Sequence, residues 1–450
     1  MKKMIVPILL LTFVLLLAGC TNKSAGEEPG KDDGPSKEGA FSIQAVYADP
    51  VGKDKEPGSF LMSNEYSEWF MAYIDKIQES VGKQNGMDKY YEQIQKELLA
   101  GKKGENKVCS PLNIYLAVSM LAEVSEGETK AQILDALEVS SIEELRERVM
   151  AVWDANYVDT PVLKSILADS LWLRSDMPYK ESPLKRLAED YHASSFSGEM
   201  GSDEMTEALR KWIDEGTNGL LTDFTKDIKM DPETVMALVS TLYYKASWSD
   251  KFYADETKEA VFHGVTGDSN VDMMHRDSSM LVYDGEKFIA VSLGLADSGS
   301  MNLFLPKDGF APEDIAADID ALKVSLGGAY ENSSYPIVHL YVPKFEVKQK
   351  TDLKDALSGL GIKDAFSSEK ADFTPLTDAV KDIFVSSAEH AALVKIDEEG
   401  VTGAAYTDMM MAGSAMPQDE IELVFDRPFF FSVTARDGSI LFAGTVNDIQ

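Results

Sequence analysis

Cysteine and histidine are scarce in this 450-residue chain, with two of the first and five of the second. Each scarcity excludes a chemistry. The cysteines are Cys20 and Cys109. Cys20 closes a leader, so no internal disulfide is available, and a chain this long buries enough core to do without one. Cys109 sits in an apolar stretch and reads as a small buried hydrophobe. His192, His263, His275, His339 and His390 are scattered, and none falls in an HExxH helix or beside a cysteine pair. No metal site is legible, and no cofactor is expected. A P-loop, a GxGxxG turn after a strand and a GxSxG elbow are all missing. Acidic residues are too many for a catalytic pair to stand out, and Asp203-Glu204 and Asp419-Glu420 read as solvated faces. Nothing argues for an enzyme. Positive charge is in deficit as well: 43 basic against 76 acidic residues leave a net charge of −33. Such a chain repels nucleic acid and anionic membrane surfaces, and its acidity reads as solubility.

Residues 1–20 read as a targeting segment. Lys2 and Lys3 open it, and the apolar run 4–18 is short for a bilayer span. Leu17-Ala18-Gly19-Cys20 then resembles the lipobox of bacterial lipoproteins. That resemblance implies cleavage before Cys20 and lipid on Cys20. It also implies export and a membrane partner through the anchor, on the cell surface or the periplasmic face. Each buried acyl methylene contributes ~0.8 kcal/mol. Residues 21–44 are expected to form a flexible acidic tether, since Gly, Pro, Ser, Glu, Asp and Lys dominate them as far as Ala40. Residues 45–450 are then one domain with an N-terminal extension. In that extension Trp69, Phe70, Tyr73 and Ile77 have helical spacing. A second helix is expected over 87–100. Ser110-Pro111 suits the start of a third, with serine as cap and proline in the first turn.

The most informative stretch lies near the C-terminus. Glu398-Glu399-Gly400-Val401-Thr402-Gly403-Ala404-Ala405-Tyr406-Thr407 runs into small residues, then Asp408, three methionines, Ala412, Gly413, Ser414, Ala415, Met416 and Pro417. Some twenty residues on from Thr407, the chain turns apolar again at Asp426-Arg427-Pro428-Phe429-Phe430-Phe431. Long loops of this kind are usually functional. Read with period two, Val401, Gly403, Ala405, Thr407 and Met409 fall on one side and carry no charge. The other side carries Asp408 and Tyr406. A strand with one buried face reads this way. The segment is therefore legible as a loop in one state and a strand in another.

Several motifs in order resemble the serpin family. The hinge Glu-Glu-Gly-Thr-x-Ala-Ala is similar to 398–407, and Arg427-Pro428-Phe429 and Ala443-Gly444-Thr445-Val446 match downstream segments. Upstream, Ser110-Pro111-Leu112-Asn113-Ile114 is similar to Ser-Pro-x-Ser-Ile, with Asn113 for the second serine. Ala168-Asp169-Ser170-Leu171-Trp172 is similar to Ala-Asn-x-Leu-Phe. Ser240 stands where the strand before Trp248 usually has asparagine. Pro343-Lys344-Phe345 and Leu360-Gly361-Ile362 continue the pattern, so the resemblance runs from about Met87 to the end.

The resemblance implies an α+β fold: a large, mostly antiparallel central sheet, additional sheets, surrounding helices and an exposed reactive-centre loop on a monomer. It implies inhibition of a serine protease by suicide-substrate trapping, the loop entering the sheet after cleavage. The hinge would be Glu398, Glu399, Gly400, Val401, Thr402, Gly403, Ala404 and Ala405. Burying Val401 and Met409 on insertion would add about 2 kcal/mol apiece. Ser110, Asn113, Ser240, Trp248 and His390 would form a cluster controlling sheet opening, with no catalytic part. Family spacing puts the scissile bond between Ser414 and Ala415. The small residues before it suit an elastase-like or subtilisin-like enzyme better than a trypsin-like one, whose pocket carries an aspartate. A cysteine protease cutting after Met411 is the other partner considered. The changes at Asn113 and Ser240 keep a second reading open, a non-inhibitory serpin acting as a binding or scaffold protein.

Overall fold

Two twelve-residue strands, Leu163–Arg174 and Met236–Ser247, largely buried on both faces, lie side by side in the structure. The computed structural model describes residues 36–37, 39–328, 331–378, 383–401 and 419–450, within the unit Pro35–Gln450. In chain order the strands used below are β1 (Phe41–Ile43), β2 (Leu163–Arg174), β3 (Ala193–Gly198) and β4 (Met236–Ser247). There follow β5 (Lys258–His263), β6 (Asp268–Ser279), β7 (Ile337–Pro343) and β8 (Phe345–Asp352). The last are β9 (Val385–Ile396), β10 (Gly400–Val401) and β11 (Glu420–Val424). An eight-stranded sheet has the order β8-β9-β10-β4-β2-β3-β1, with Val158–Asp159 paired beside β2. A four-stranded sheet has the order β11-β7-β6-β5, and a seven-stranded sheet includes Phe429–Thr434 and Ile440–Val446. Helices surround the sheets, and the fold is the α+β class expected.

Four helices matter for the site: α1 (Asn64–Lys83), α2 (Met87–Leu99), α3 (Pro111–Val124) and α4 (Asp203–Gly216). Every residue of α3 is buried, and the Ser110 hydroxyl accepts from Asn113 N at its start. One stripe of α4, Met205, Leu209 and Ile213, packs with Trp172 and Val239 of the central sheet in a core of its own. In α1, Tyr73 and Ile77 are buried, and the Tyr73 ring stacks on Trp69 at 5.1 Å. Burial in the strand Lys107–Cys109 pushes the Cys109 thiol well up.

The tether expected over 21–44 ends earlier. Phe41–Ile43 is an edge strand, in register with Ser195–Ser197 of β3, and Phe41 meets the Tyr179 ring edge-on at 6.2 Å. Ser36 and Lys37 pair with Lys180 and Tyr179. Phe41 and Ile43 lie two apart, so both turn one side chain to the same half-buried face, which their polar surroundings mask in composition.

Candidate functional site

Near the end of β9 the chain reverses. Asp397 Oδ1 accepts from the backbone N–H groups of Glu399 (2.9 Å) and Gly400 (3.3 Å), which fixes the turn as an Asx-type bend. The chain then returns as β10 between β9 and β4. Val401 lies opposite Ile396 on one side and Ala246 on the other, antiparallel to both. Its side chain is fully buried. Gly400 is the close approach that permits this: a Cβ there would stand 2.1 Å from the Ala246 carbonyl oxygen.

Below β10 the two flanking strands pair directly with each other, in parallel, from Val385 opposite Met236 up to Ala391 opposite Thr241. The central sheet is thus wedged at one end and closed at the other. The upper rungs of this closed seam carry buried polar side chains. His390 lies opposite Ser240. From α3, Asn113 Nδ2 donates to Ser240 Oγ at 2.6 Å and to the Thr241 carbonyl at 2.7 Å. The Ser110 backbone N–H donates to His390 Nε2 at 2.9 Å. Nε2 is therefore the unprotonated nitrogen, and Nδ1–H points to Ser240 Oγ at 3.5 Å. Burial lowers the His390 pKa to about 3, so the ring stays neutral.

Ser110, Asn113, Ser240 and His390 come together in this way, although the serine contributes its backbone and spends its hydroxyl on the helix cap. Trp248 does not join them. It lies past the other end of β4, where its indole N–H donates to the Asp397 carbonyl (2.8 Å) and its backbone N–H to the Glu399 carbonyl (3.1 Å). It holds the turn instead of the seam, because β4 carries the two groups to opposite ends of the sheet.

The partners of three residues already named, Glu398, Glu399 and Asp169, were not foreseen from the sequence. Glu398 is bound by Lys344 Nζ and the Thr257 hydroxyl, each at 2.8 Å, and Glu399 by Lys251 Nζ at 2.9 Å. Burial would raise the Glu398 carboxyl, but the hydrogen bonds from Lys344 and Thr257 outweigh it and hold it below the usual carboxylate range. The signal was available, since adjacent acids that are only partly exposed at a turn favour cationic partners. The third residue is Asp169 on β2, opposite Ser240. It is buried, its Oδ1 has no partner among the described residues, and desolvation pushes its pKa well up against the Ser240 hydrogen bond. In its protonated form the acid has the shape of the asparagine of the family motif.

Thr402, Gly403, Ala404, Ala405, Ser414, Ala415 and Cys20 lie outside the described residues. What the described part offers is a slot between two strands, entered at one end by β10 and barred below by a neutral polar cluster.

Comparison with known proteins agrees with this architecture. The family model described as Serpin (serine protease inhibitor) matches residues 88–449. A serine protease inhibitor of Cyanea capillata is 29% identical over 353 residues, covering 76% of this chain and 92% of its own length. The leukocyte elastase inhibitor of Sus scrofa is 28% identical over 355 residues, with 76% and 93% covered. Among solved structures, the native state of the thermophilic serpin Tengpin superposes with a TM-score of 0.71 at 24% identity, over 81% of this chain and 95% of that one.

Proposed function

The chain belongs to the serpin family, and from that membership we propose that it inhibits a serine protease as a suicide substrate. The bait is 402–418. The protease serine adds to the Ser414 carbonyl, the Ser414–Ala415 bond breaks, and the Ala415 amine leaves. The protease stays attached as an ester of Ser414. The freed segment then follows Gly400 and Val401 into the seam between β9 and β4. Serpin loop insertion is itself the standing example of strand addition and of strain release.

The observation that carries this reading is β10. Its two residues already lie antiparallel between strands that are parallel to each other below. Each further residue that enters exchanges one parallel rung for antiparallel partners on both sides, and antiparallel pairing is slightly the more stable per residue. Val401 is buried before any cleavage, so its apolar burial is not part of the remaining drive. That drive comes from backbone hydrogen bonds at about 0.5–1.5 kcal/mol each and from Met409 at roughly 2 kcal/mol.

The residues Ala412, Gly413 and Ser414 fit a shallow, uncharged primary pocket, as in elastase-like or subtilisin-like enzymes; a papain-like enzyme would cut after Met411. One relative is by name an inhibitor of leukocyte elastase, which supports the first choice. The lipobox resemblance further supports a lipid on Cys20 and attachment outside the cytoplasm. If so, the full-length protein partitions into detergent and the Cys20→Ser variant into the aqueous phase.

The deciding experiment mixes the protein with a panel of these proteases and reads denaturing gels by mass spectrometry. A denaturant-stable adduct with the chain broken after Ser414 supports trapping. Cleavage without adduct, and with no rise in the melting temperature of the cleaved form, supports the non-inhibitory reading instead.

A further inference from the structure

The four-stranded sheet carries a cluster that loop insertion does not use. His275 and Asp277 are two residues apart on β6 and share a face. Arg276 between them turns the other way and lies over the Phe252 ring at 5.0 Å. On the neighbouring strand β7, His339 stands directly opposite Asp277. Asp277 Oδ1 lies 3.0 Å from His275 Nε2 and 2.7 Å from His339 Nδ1. The ligand atoms of the three residues all lie within 4.8 Å of one another.

The outer ring nitrogens are placed as well. His275 Nδ1 faces Glu256 Oε2 at 3.9 Å, and His339 Nε2 faces Glu420 Oε2 at 3.7 Å. Tyr341 stacks on the His275 ring at 4.4 Å and fixes its plane. Each imidazole therefore turns one nitrogen to a shared centre and the other to a separate carboxylate. Ligating histidines in metal sites almost always hydrogen-bond an outer partner, which fixes the tautomer and raises the basicity of the ligand nitrogen; here the two carboxylates lie just beyond hydrogen-bond distance and reach it by small side-chain rotations.

We propose that His275 Nε2, an Asp277 oxygen and His339 Nδ1 bind a divalent ion of the zinc class, with water in the fourth position. Two imidazoles and a carboxylate are a donor set that zinc accepts. Bonds of about 2.0–2.1 Å at tetrahedral angles place neighbouring ligand atoms roughly 3.3–3.5 Å apart. The observed contacts reach that spacing by small side-chain rotations on rigid strands. The half-exposed Asp277 leaves the centre open to solvent.

The site has a consequence for the loop. Glu420 is the first residue of β11, the strand that follows 402–418, and among the described residues β11 is the edge of its sheet, paired in parallel with β7 alone. An ion that orients His339 against Glu420 ties the start of that edge strand to β6 and β7.

The test uses the full-length protein after dialysis against a chelator, titrated first with Co2+ and then with Zn2+. Visible ligand-field bands of tetrahedral cobalt, bleached by one equivalent of zinc, are expected. His275→Ala and His339→Ala should each weaken zinc binding by more than the roughly 10–100-fold expected for Glu420→Gln, which removes only an outer partner. Absence of the cobalt bands, or zinc affinity unchanged in both histidine variants, overturns the proposal. Two separate alanine variants are named so that a folding failure in one leaves the other to decide.

Discussion

Asn113 and Ser240 are joined by a 2.6 Å hydrogen bond from the amide Nδ2 to the hydroxyl Oγ, between α3 and the central sheet. Relative to the family motifs the two side chains have changed places: the helix carries the amide and the strand the hydroxyl. One amide and one hydroxyl remain in the same buried space.

This exchange predicts a coupled pair. Asn113→Ser leaves the Thr241 carbonyl without its side-chain donor, at about 1–3 kcal/mol. Ser240→Asn crowds a second amide into the site. The double variant restores one of each and should recover most of the loss, with a coupling on the order of 0.5–3 kcal/mol. Denaturant midpoints of the four proteins measure it. Losses that simply add would show that the two side chains do not act as a unit.

Asp169 predicts a pH dependence. Its pKa is raised in the folded state. Below about pH 4 the folded and unfolded chains both hold the proton, and the group contributes no penalty. As the pH rises from there, the unfolded chain loses the proton first, so stability falls until the folded-state pKa is passed. Asp169→Asn removes the titration and keeps the shape. The variant should match the parent near pH 4 and exceed it at neutral pH, as read from unfolding midpoints. A constant difference across the range would mean that the carboxyl is not the titrating group.

Val401→Arg predicts loss of trapping. A guanidinium would occupy a fully buried position between β9 and β4, and an unpaired charge is not tolerated there. The expected result is cleaved inhibitor in place of adduct, so the number of inhibitor molecules consumed per protease rises several-fold. Trapping with the parent's stoichiometry would mean that the inserted strand does not pass through the Val401 position.

Gly400→Ala tests the entry itself. The added Cβ meets the Ala246 carbonyl oxygen, and overpacking of this kind costs about 1–3 kcal/mol. Hydrogen exchange at Ala246 and Ser247 should quicken as β10 is forced away from β4. Unchanged protection would show that the backbone adjusts without releasing the strand.

Local pattern carried much of the fold. The helix expected over 87–100 is found at Met87–Leu99, and the spacing of Trp69, Tyr73 and Ile77 marked a face of Asn64–Lys83. Ser110 caps its helix because that bond is local. The seam was legible only through family resemblance, since its central contact joins residues 150 apart in sequence, Ser240 and His390. Asp169 did leave a local trace, as the one acidic residue of Leu163–Arg174 and at a buried position within it. Phe41–Ile43 left almost none, as three residues are too few for alternation to register. His275 and Asp277 also show their shared face in sequence, but the third member, His339, lies 62 residues beyond Asp277. A search for ligands close in sequence passes over such a set.

The polar cluster sits at the upper end of the closed seam, at the rungs an advancing strand would meet first. Asn113 holds Ser240 and the Thr241 carbonyl, and the rungs further down, from Val239 opposite Glu389 to Met236 opposite Val385, lack that clasp from α3. The clasp from α3 thus lies at the threshold. Further down the seam the strands are bridged again, where Ser386 Oγ accepts from the Val235 backbone N–H at 3.0 Å and donates to the Met236 carbonyl at 3.3 Å. Under the proposed insertion, parting the α3 clasp is the nucleation step, and its rate is expected to follow the strength of the Asn113 bonds.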